Sequence, residues 1–328
     1  MADAILEIKD LKIQFKSGKG TVEPIRGVNF TIEKGETLGV VGESGSGKSL
    51  TSLAVMGLLP DKISKITSGE ILFGGKDLTA LTEKQYRKLR GNEISMIFQE
   101  PMTSLNPVFT IGEQLSEPLR QHKKMSKKAI NQAIIAVLKQ VGIPRAEEIV
   151  NEYPHQLSGG MRQRVMISLA LLGEPRLMIA DEPTTALDVT IQAQILELMK
   201  NIKTQNDMSL LLITHDLGVV AEMCDRVVVM YAGEIVEMAE VNELFDRPLH
   251  PYTQGLIDSM PSNNERKSRL YSISGQVPKP EEIKEGCVFA NRCQYAFAKC
   301  FQKTPPVFQD GDHLSKCWLQ DTTEGEVG

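Results

Sequence analysis

The sequence predicts an α/β fold: a buried, mostly parallel sheet, with a helical block inserted between its strands and a further segment appended at the C-terminus. Three observations carry this. Short apolar runs suited to buried strands, at 37–41, 177–180 and 210–214, alternate with helical patterns at 49–59 and about 190–203. From about 110 to 172 the hydrophobic period turns helical, which places an insertion at about 100–172. After 245 the chain becomes richer in proline and polar residues, and four of its five cysteines fall between 287 and 317.

Taken in order, Ile5, Leu6, Ile8, Leu11, Ile13 and Phe15 are mostly spaced for the faces of a strand. Val28, Phe30 and Ile32 alternate strictly before a turn at Lys34-Gly35. The run at 37–41 ends at Gly42, and the helix at 49–59 stops near Pro60. Strand character returns at 70–73 and 94–98. Ala129, Ile130, Ala133, Ile134, Val137, Leu138 and Val141 make one helical stripe, with Ser126 as its N-cap. Residues 227–238 read as a hairpin through Ala232-Gly233. There is no internal repeat and no low-complexity tract.

Composition narrows the function classes. The chain has 328 residues, 41% hydrophobic and 24% charged, which excludes a disordered chain, a fibrous repeat and a simple coiled coil. A net charge of −5 argues against sequence-independent nucleic-acid binding, so no nucleic-acid partner is expected. No stretch approaches the ~18 apolar residues of a membrane span. The N-terminus, with Asp3, Glu7 and Asp10, lacks a basic start followed by an apolar segment. A soluble, intracellular chain is expected, and any work at a membrane leaves the spanning to another subunit.

Gly42-Glu43-Ser44-Gly45-Ser46-Gly47-Lys48-Ser49, followed by Leu50, fits G-x-x-x-x-G-K-[ST]. Its glycines let backbone N–H groups curl around a phosphate, Lys48 neutralises β/γ oxygens, and the Ser49 hydroxyl ligates Mg²⁺. A Gly/Ser-rich loop with an accidental lysine is the bland alternative, and the flanking strand and helix weigh against it. The buried run at 177–180 leads into Asp181-Glu182-Pro183. Asp181 can hold Mg²⁺ and Glu182 can take a proton from an attacking water, where a lone motif would be only an acidic turn. Gln156-Leu157-Ser158-Gly159-Gly160-Met161 opens a helix, as an anion site or as an ordinary N-cap.

The order of phosphate loop, Gln99 after a strand, the LSGGM stretch, Asp181-Glu182, and His215 after a strand resembles the ATP-binding cassette (ABC) ATPase over roughly residues 5–245. The resemblance implies a P-loop NTPase core with an antiparallel β subdomain, an inserted α-helical subdomain and a C-terminal Cys-bearing extension. It implies ATP and Mg²⁺ as ligands, with Ser49, Gln99 and Asp181 at the metal. Catalysis falls to Glu182 as base, His215 as the switch touching the γ-phosphate, and Gln99. Phe15 stands where the family stacks an aromatic on adenine, although an aromatic in a strand is more often core. Asp188 lies at the dimer interface, and Ser158, Gly159 and Gly160 contact the ATP held by the opposing cassette.

Narrower stretches, 98–107 around Gln99, Tyr153–Arg164, 181–190 and His250-Pro251-Tyr252-Thr253, resemble the ATPase subunit of bacterial oligopeptide/dipeptide importers, with nickel importers as close relatives. That implies an ATPase domain over 1–245 and an oligopeptide/dipeptide-transporter-type extension over 246–328. The partners implied are two transmembrane permease subunits, docked by the segment around 99–120, and an extracytoplasmic peptide-binding protein. A second, paralogous ATPase subunit is implied too, a heterodimer in preference to a homodimer. The location implied is the cytoplasmic face of the cell membrane, held peripherally.

Cys287, Cys293, Cys300 and Cys317 form C-x5-C-x6-C-x16-C. Zinc sites favour closer pairs, about two to four residues apart, and the spacing departs from the ferredoxin pattern too. The family resemblance favours a 4Fe–4S cluster, with Zn²⁺ as the alternative and free thiols the remainder. Cys224 reads as a small core residue and His313 as a surface residue.

Overall fold

The computed structural model describes residues 3–18, 20–99, 104–185, 187–260, 272–283 and 285–321. Two long strands open the chain, β1 (Ala4–Ser17) and β2 (Gly20–Glu33). With β4 (Ser64–Phe73) and β5 (Lys76–Asp77), which follow β3 (Thr37–Val41), they form an antiparallel sheet ordered β2-β1-β4-β5. The second sheet centres on β3. Parallel neighbours are β8 (Ser209–Thr214), β7 (Leu177–Asp181) and β6 (Ile94–Ile97) on one side and β9 (Arg226–Tyr231) on the other. Beyond β9 it continues antiparallel through β10 (Glu234–Glu240), β12 (His313–Ser315) and β11 (Phe308–Asp310).

The central strands are buried at every position of β3, β7 and β8, which is why 38–41, 177–180 and 210–213 are unbroken apolar runs, with polar residues only at the strand ends. β1 behaves differently. Its register slips between Ile8 and Leu11, where Asp10 takes φ 44° and gives its N–H to the Asn29 Oδ1 at 2.8 Å. That irregularity breaks the period-2 pattern without ending the strand.

Helices pack on both faces. α1 (Lys48–Val55) follows the phosphate loop and ends sooner than Pro60 suggests, at a turn where Gly57 takes φ 60° against the Tyr86 ring. α2 (Glu83–Leu89) precedes β6. The insertion contains α3 (Ile111–His122), α4 (Lys127–Gln140), α5 (Ala146–Ile149) and α6 (Gly159–Leu171). Ser126 caps α4, its Oγ accepting the Ala129 N–H at 3.2 Å. α7 (Val189–Asn206) and α8 (Leu217–Met223) link the later strands. α9 (Val241–Asp246), α10 (Pro251–Asp258) and α11 (Ala298–Gln302) belong to the C-terminal part.

Three apolar clusters result. One joins the helical insertion to a face of β6–β8, with Ile134, Leu138 and Ile167 inside it. Another lies between the two sheets, around Leu6, Ile8 and Ile71. The third, around Tyr231, Tyr252 and Phe289, glues the C-terminal part to the core.

His313 corrects the sequence reading. It is buried, with Nε2 2.7 Å from the buried Glu237 Oε1 and Nδ1 3.3 Å from Glu243. Burial pushes the imidazole down and the two carboxylates push it up, and the net is a raised pKa. Cys224 is mostly enclosed, and burial lifts its thiol to about 12. No helix among the described residues is long and apolar enough to cross a membrane.

Candidate active site

The site lies at the C-terminal ends of β3, β7 and β8, where a parallel sheet opens toward a ligand. β3 stops at Gly42 because the chain must turn sharply there. Gly42 takes φ 151°, and a Cβ would stand 2.2 Å from the Met230 carbonyl oxygen. Ser44 and Gly45 are exposed at the tip of the loop, and Gly47 starts α1 with φ 105°. Lys48 is buried and folds back on its own loop, donating to Gly42 O at 2.6 Å, Glu43 O at 3.0 Å and Ser46 Oγ at 3.4 Å. Burial lowers its pKa, against the opposing pull of Glu182, Asp181 and Glu43.

Ser49 and Asp181 meet across the site, the Ser49 hydroxyl donating to Asp181 Oδ1 at 3.1 Å. Burial raises the Asp181 carboxyl, and the neighbouring Glu182 adds to the shift. Glu182 follows at φ 49°, a left-handed conformation unusual outside glycine, fixed by its N–H to Ile213 O at 2.8 Å. Its carboxylate gathers three side chains: Gln99 Nε2 at 3.1 Å, Thr185 Oγ1 at 2.9 Å and His215 Nδ1 at 3.3 Å. Burial pushes Glu182 up, but the bonds from Thr185 and His215 and the nearby cations outweigh it, and the net pKa is lowered. The base candidate is therefore held ionised.

Ser158 caps α6, its Oγ accepting the Met161 N–H at 3.3 Å, and stands exposed beside Gly159. A Cβ on Gly159 would meet nothing within 4 Å, while Gly160 packs against Ile191 of α7. Asp188 caps that same helix through Ile191 N–H at 3.0 Å, so the signature turn and Asp188 share one exposed face. Phe15 is half-buried near the end of β1, and Leu50 packs partly on the inter-sheet core. Residues 100–103 of the expected docking segment and Ala186, before Asp188, lie outside the described residues. Phe98, Val108 and Phe109 are exposed, the latter two within that segment, and Phe98 and Phe109 line a groove of about 590 Å³ with Asn106, Gln114 and Pro118.

Three residues at the site escape the sequence reading. Thr185 braces Glu182. Tyr252, noted only as part of a family stretch, accepts the Glu43 N–H at 2.8 Å. Arg292 pairs with the Glu43 carboxylate at 3.0 Å. Thr185 and Tyr252 lie in stretches the sequence marks, at 181–190 and 250–253, but without these roles, and nothing local ties Tyr252 or Arg292 to a loop so far upstream.

In the C-terminal part, the Cys287 N–H donates to Cys300 O at 2.8 Å, and Cys300 and Cys317 are buried. Burial lifts Cys287 to about 11 and Cys317 to about 12, and each feels the charge of other cysteines of the four. Among the described residues, no group of three or more His, Cys, Asp or Glu side chains is gathered as a single-ion site.

A phosphate loop, an Asp-Glu strand end and a helix-capping LSGG turn on this sheet define an ATP-binding cassette. The model of the family described as ABC transporter matches residues 25–185, and that described as "Oligopeptide/dipeptide transporter, C-terminal region" matches 236–300. The chain is 54% identical to the "Oligopeptide transport ATP-binding protein AppD" of Bacillus subtilis (strain 168), over 98% of each chain. It is 51% identical to the "Dipeptide transport ATP-binding protein DppD" of the same organism, over 97% of this chain and 95% of that one. Among solved structures, the ATP-binding cassette MJ0796, in a dimeric post-hydrolysis state bound to ADP and Pi, superposes with a TM-score of 0.64 at 29% identity, covering 72% of this chain and 98% of the other. The chain belongs to the ABC transporter ATP-binding subunits of the oligopeptide/dipeptide transport family.

Proposed function

We propose that this chain hydrolyses ATP to drive uptake of oligopeptides or dipeptides through partner permeases. The observation that carries the chemistry is the convergence of Gln99, Thr185 and His215 on an ionised Glu182, beside Lys48, Ser49 and Asp181. The loop N–H groups and the positive end of α1 receive the phosphates. Lys48 exchanges its bonds to the loop carbonyls for the β/γ oxygens. Glu182 orients a water and takes its proton as the water oxygen bonds to the γ-phosphorus and the bond to the ADP oxygen breaks. His215 faces the γ-phosphate and Gln99 links the site to the docking segment.

The donor set fits Mg²⁺: the Ser49 hydroxyl and the Asp181 carboxylate, in contact at 3.1 Å, and the amide oxygen of Gln99 are hard oxygens. Bound there, Mg²⁺ supplies neutralisation of the β/γ charge. Phe15 stacks on the adenine. Ser158, Gly159, Gly160 and Asp188 face the nucleotide of a second, paralogous cassette, packed head to tail. The exposure of Ser158, Gly159 and Asp188 on one surface supports this.

The groove around Phe98 and Phe109 receives a cytoplasmic helix of one of two permeases, which places the chain peripherally on the cytoplasmic face of the membrane. Peptide is delivered by an extracytoplasmic binding protein. The ATPase unit takes residues 1–245 and the extension 246–328. We assign a 4Fe–4S cluster to Cys287, Cys293, Cys300 and Cys317. The support is the grouping of the four cysteines within residues 287–317, with the Cys287 N–H bonded to Cys300 O at 2.8 Å and Cys300 and Cys317 buried. Iron and sulfide in anaerobically purified protein are expected, and zinc or no metal overturns the assignment.

The test of the main reading is Glu182→Gln in the assembled transporter. Turnover should fall by about 10²–10⁴-fold while Mg-ATP stays bound, and peptide uptake should stop. Unchanged phosphate release would remove Glu182 from its role.

A further inference from the structure

We propose that Arg292, assisted by Tyr252, is a positioning residue for ATP binding: the C-terminal part holds the corner of the phosphate loop from 249 residues downstream. The argument starts at Glu43. Its backbone N–H donates to Tyr252 Oη at 2.8 Å, its carbonyl accepts from Lys48 Nζ at 3.0 Å, and its carboxylate pairs with Arg292 Nη1 at 3.0 Å. One residue thus joins the phosphate-binding lysine to two anchors outside the ATPase core.

Both anchors are rigid. The Arg292 side chain is only 7% exposed and is held from several sides, by Ser274 O at 2.8 Å, Gly275 O at 3.3 Å and Tyr231 Oη at 3.3 Å. Tyr252 is fully buried, with Tyr231 and Phe289 packed against its ring at 4.7 and 5.4 Å between centroids. A guanidinium so placed needs its carboxylate, because an unpaired charge out of water is costly. The planar fork serves Glu43 and carbonyls together, a geometry lysine does not reproduce. Loss of the anchor leaves the loop corner, and with it the carbonyl that positions Lys48, free to shift.

This rests on the reading of Gly42–Ser49 as the phosphate loop. The test measures equilibrium binding of Mg-ATP to the full chain, alongside its nucleotide-free Tm. Arg292→Ala should weaken ATP binding about tenfold, the equivalent of one charge-assisted hydrogen bond. Arg292→Lys should recover part of the loss, and Tyr252→Phe should weaken binding too. Glu43→Gln should weaken it alone and add nothing to Arg292→Ala. Wild-type affinity in Arg292→Ala with a lowered Tm overturns the proposal, since Arg292 would then only fasten the C-terminal part. If Arg292→Ala does not fold, unchanged affinity in both Glu43→Gln and Arg292→Lys overturns it equally. Lys48→Ala separates the two readings. If that variant still binds ATP, the loop assignment fails; if it does not, while the Arg292 variants bind normally, only the positioning role fails.

Discussion

Glu182 shows what single residues do here. Its backbone sits at φ 49° and its carboxylate takes a hydroxyl, an amide and an imidazole. The Thr185 bond is among the forces holding its pKa low. Thr185→Val should therefore raise that pKa and move the acid limb of the kcat–pH profile to higher pH, with kcat at neutral pH falling only modestly. An unmoved limb would show that Thr185 does not set the ionisation of Glu182.

His250 gives a stability counterpart. It is buried, with its pKa lowered from 6.5 to about 4 by burial. Its Nδ1 caps α10 by accepting the Tyr252 N–H at 3.0 Å. The unfolded chain binds this proton below about 6.5 and the folded chain does not until about 4, so stability is intact above 6.5 and falls as pH drops between those values. His250→Asn keeps a capping acceptor without the titration and should flatten the Tm–pH slope between pH 6.5 and 4. His313 has the opposite sign. Its raised pKa gives stability that is complete below 6.5 and lost as pH climbs through the raised value.

Elements differ in how well they can be read from sequence. β3, β7 and β8 were legible because burial on both faces leaves no polar interruption, and α4 because its stripe and its Ser126 cap are local signals. Ser126→Ala should cost about 1 kcal/mol in chemical denaturation. The phosphate loop was legible because its glycine spacing is itself the geometry. β1 was only partly legible, since the slip at Asp10 depends on its partners β2 and β4. Tyr252, Arg292 and His313 act through contacts with distant segments, and no spacing rule encodes those.

One packing contact permits a suppressor test. A Cβ on Gly39 of β3 would stand 2.9 Å from Cys224 Sγ. Gly39→Ala should destabilise by about 1–3 kcal/mol through overpacking, and adding Cys224→Ala should restore much of it. Independent, additive effects would show that this contact does not limit the strand.

At the scale of the whole molecule, the C-terminal part is continuous with the ATPase sheet. β12 pairs with β10 at Glu237↔Ser315, and His313 fills the charge need of Glu237 from that strand. The C-terminal part and the core should therefore melt in one calorimetric transition at fixed metal content. His313→Gln should lower that single Tm by several degrees, because Glu237 is left buried with a weaker partner. Two separable transitions would mean that the shared sheet does not couple them.

The three bonds from Lys48 to its own loop have a thermodynamic corollary. Lys48 spends its donors on two loop carbonyls and a hydroxyl, so engaging a phosphate swaps one set of polar partners for another, and the net gain per bond is the small difference between them. The affinity contributed by Lys48 should therefore be well below that of a free ammonium meeting a phosphate.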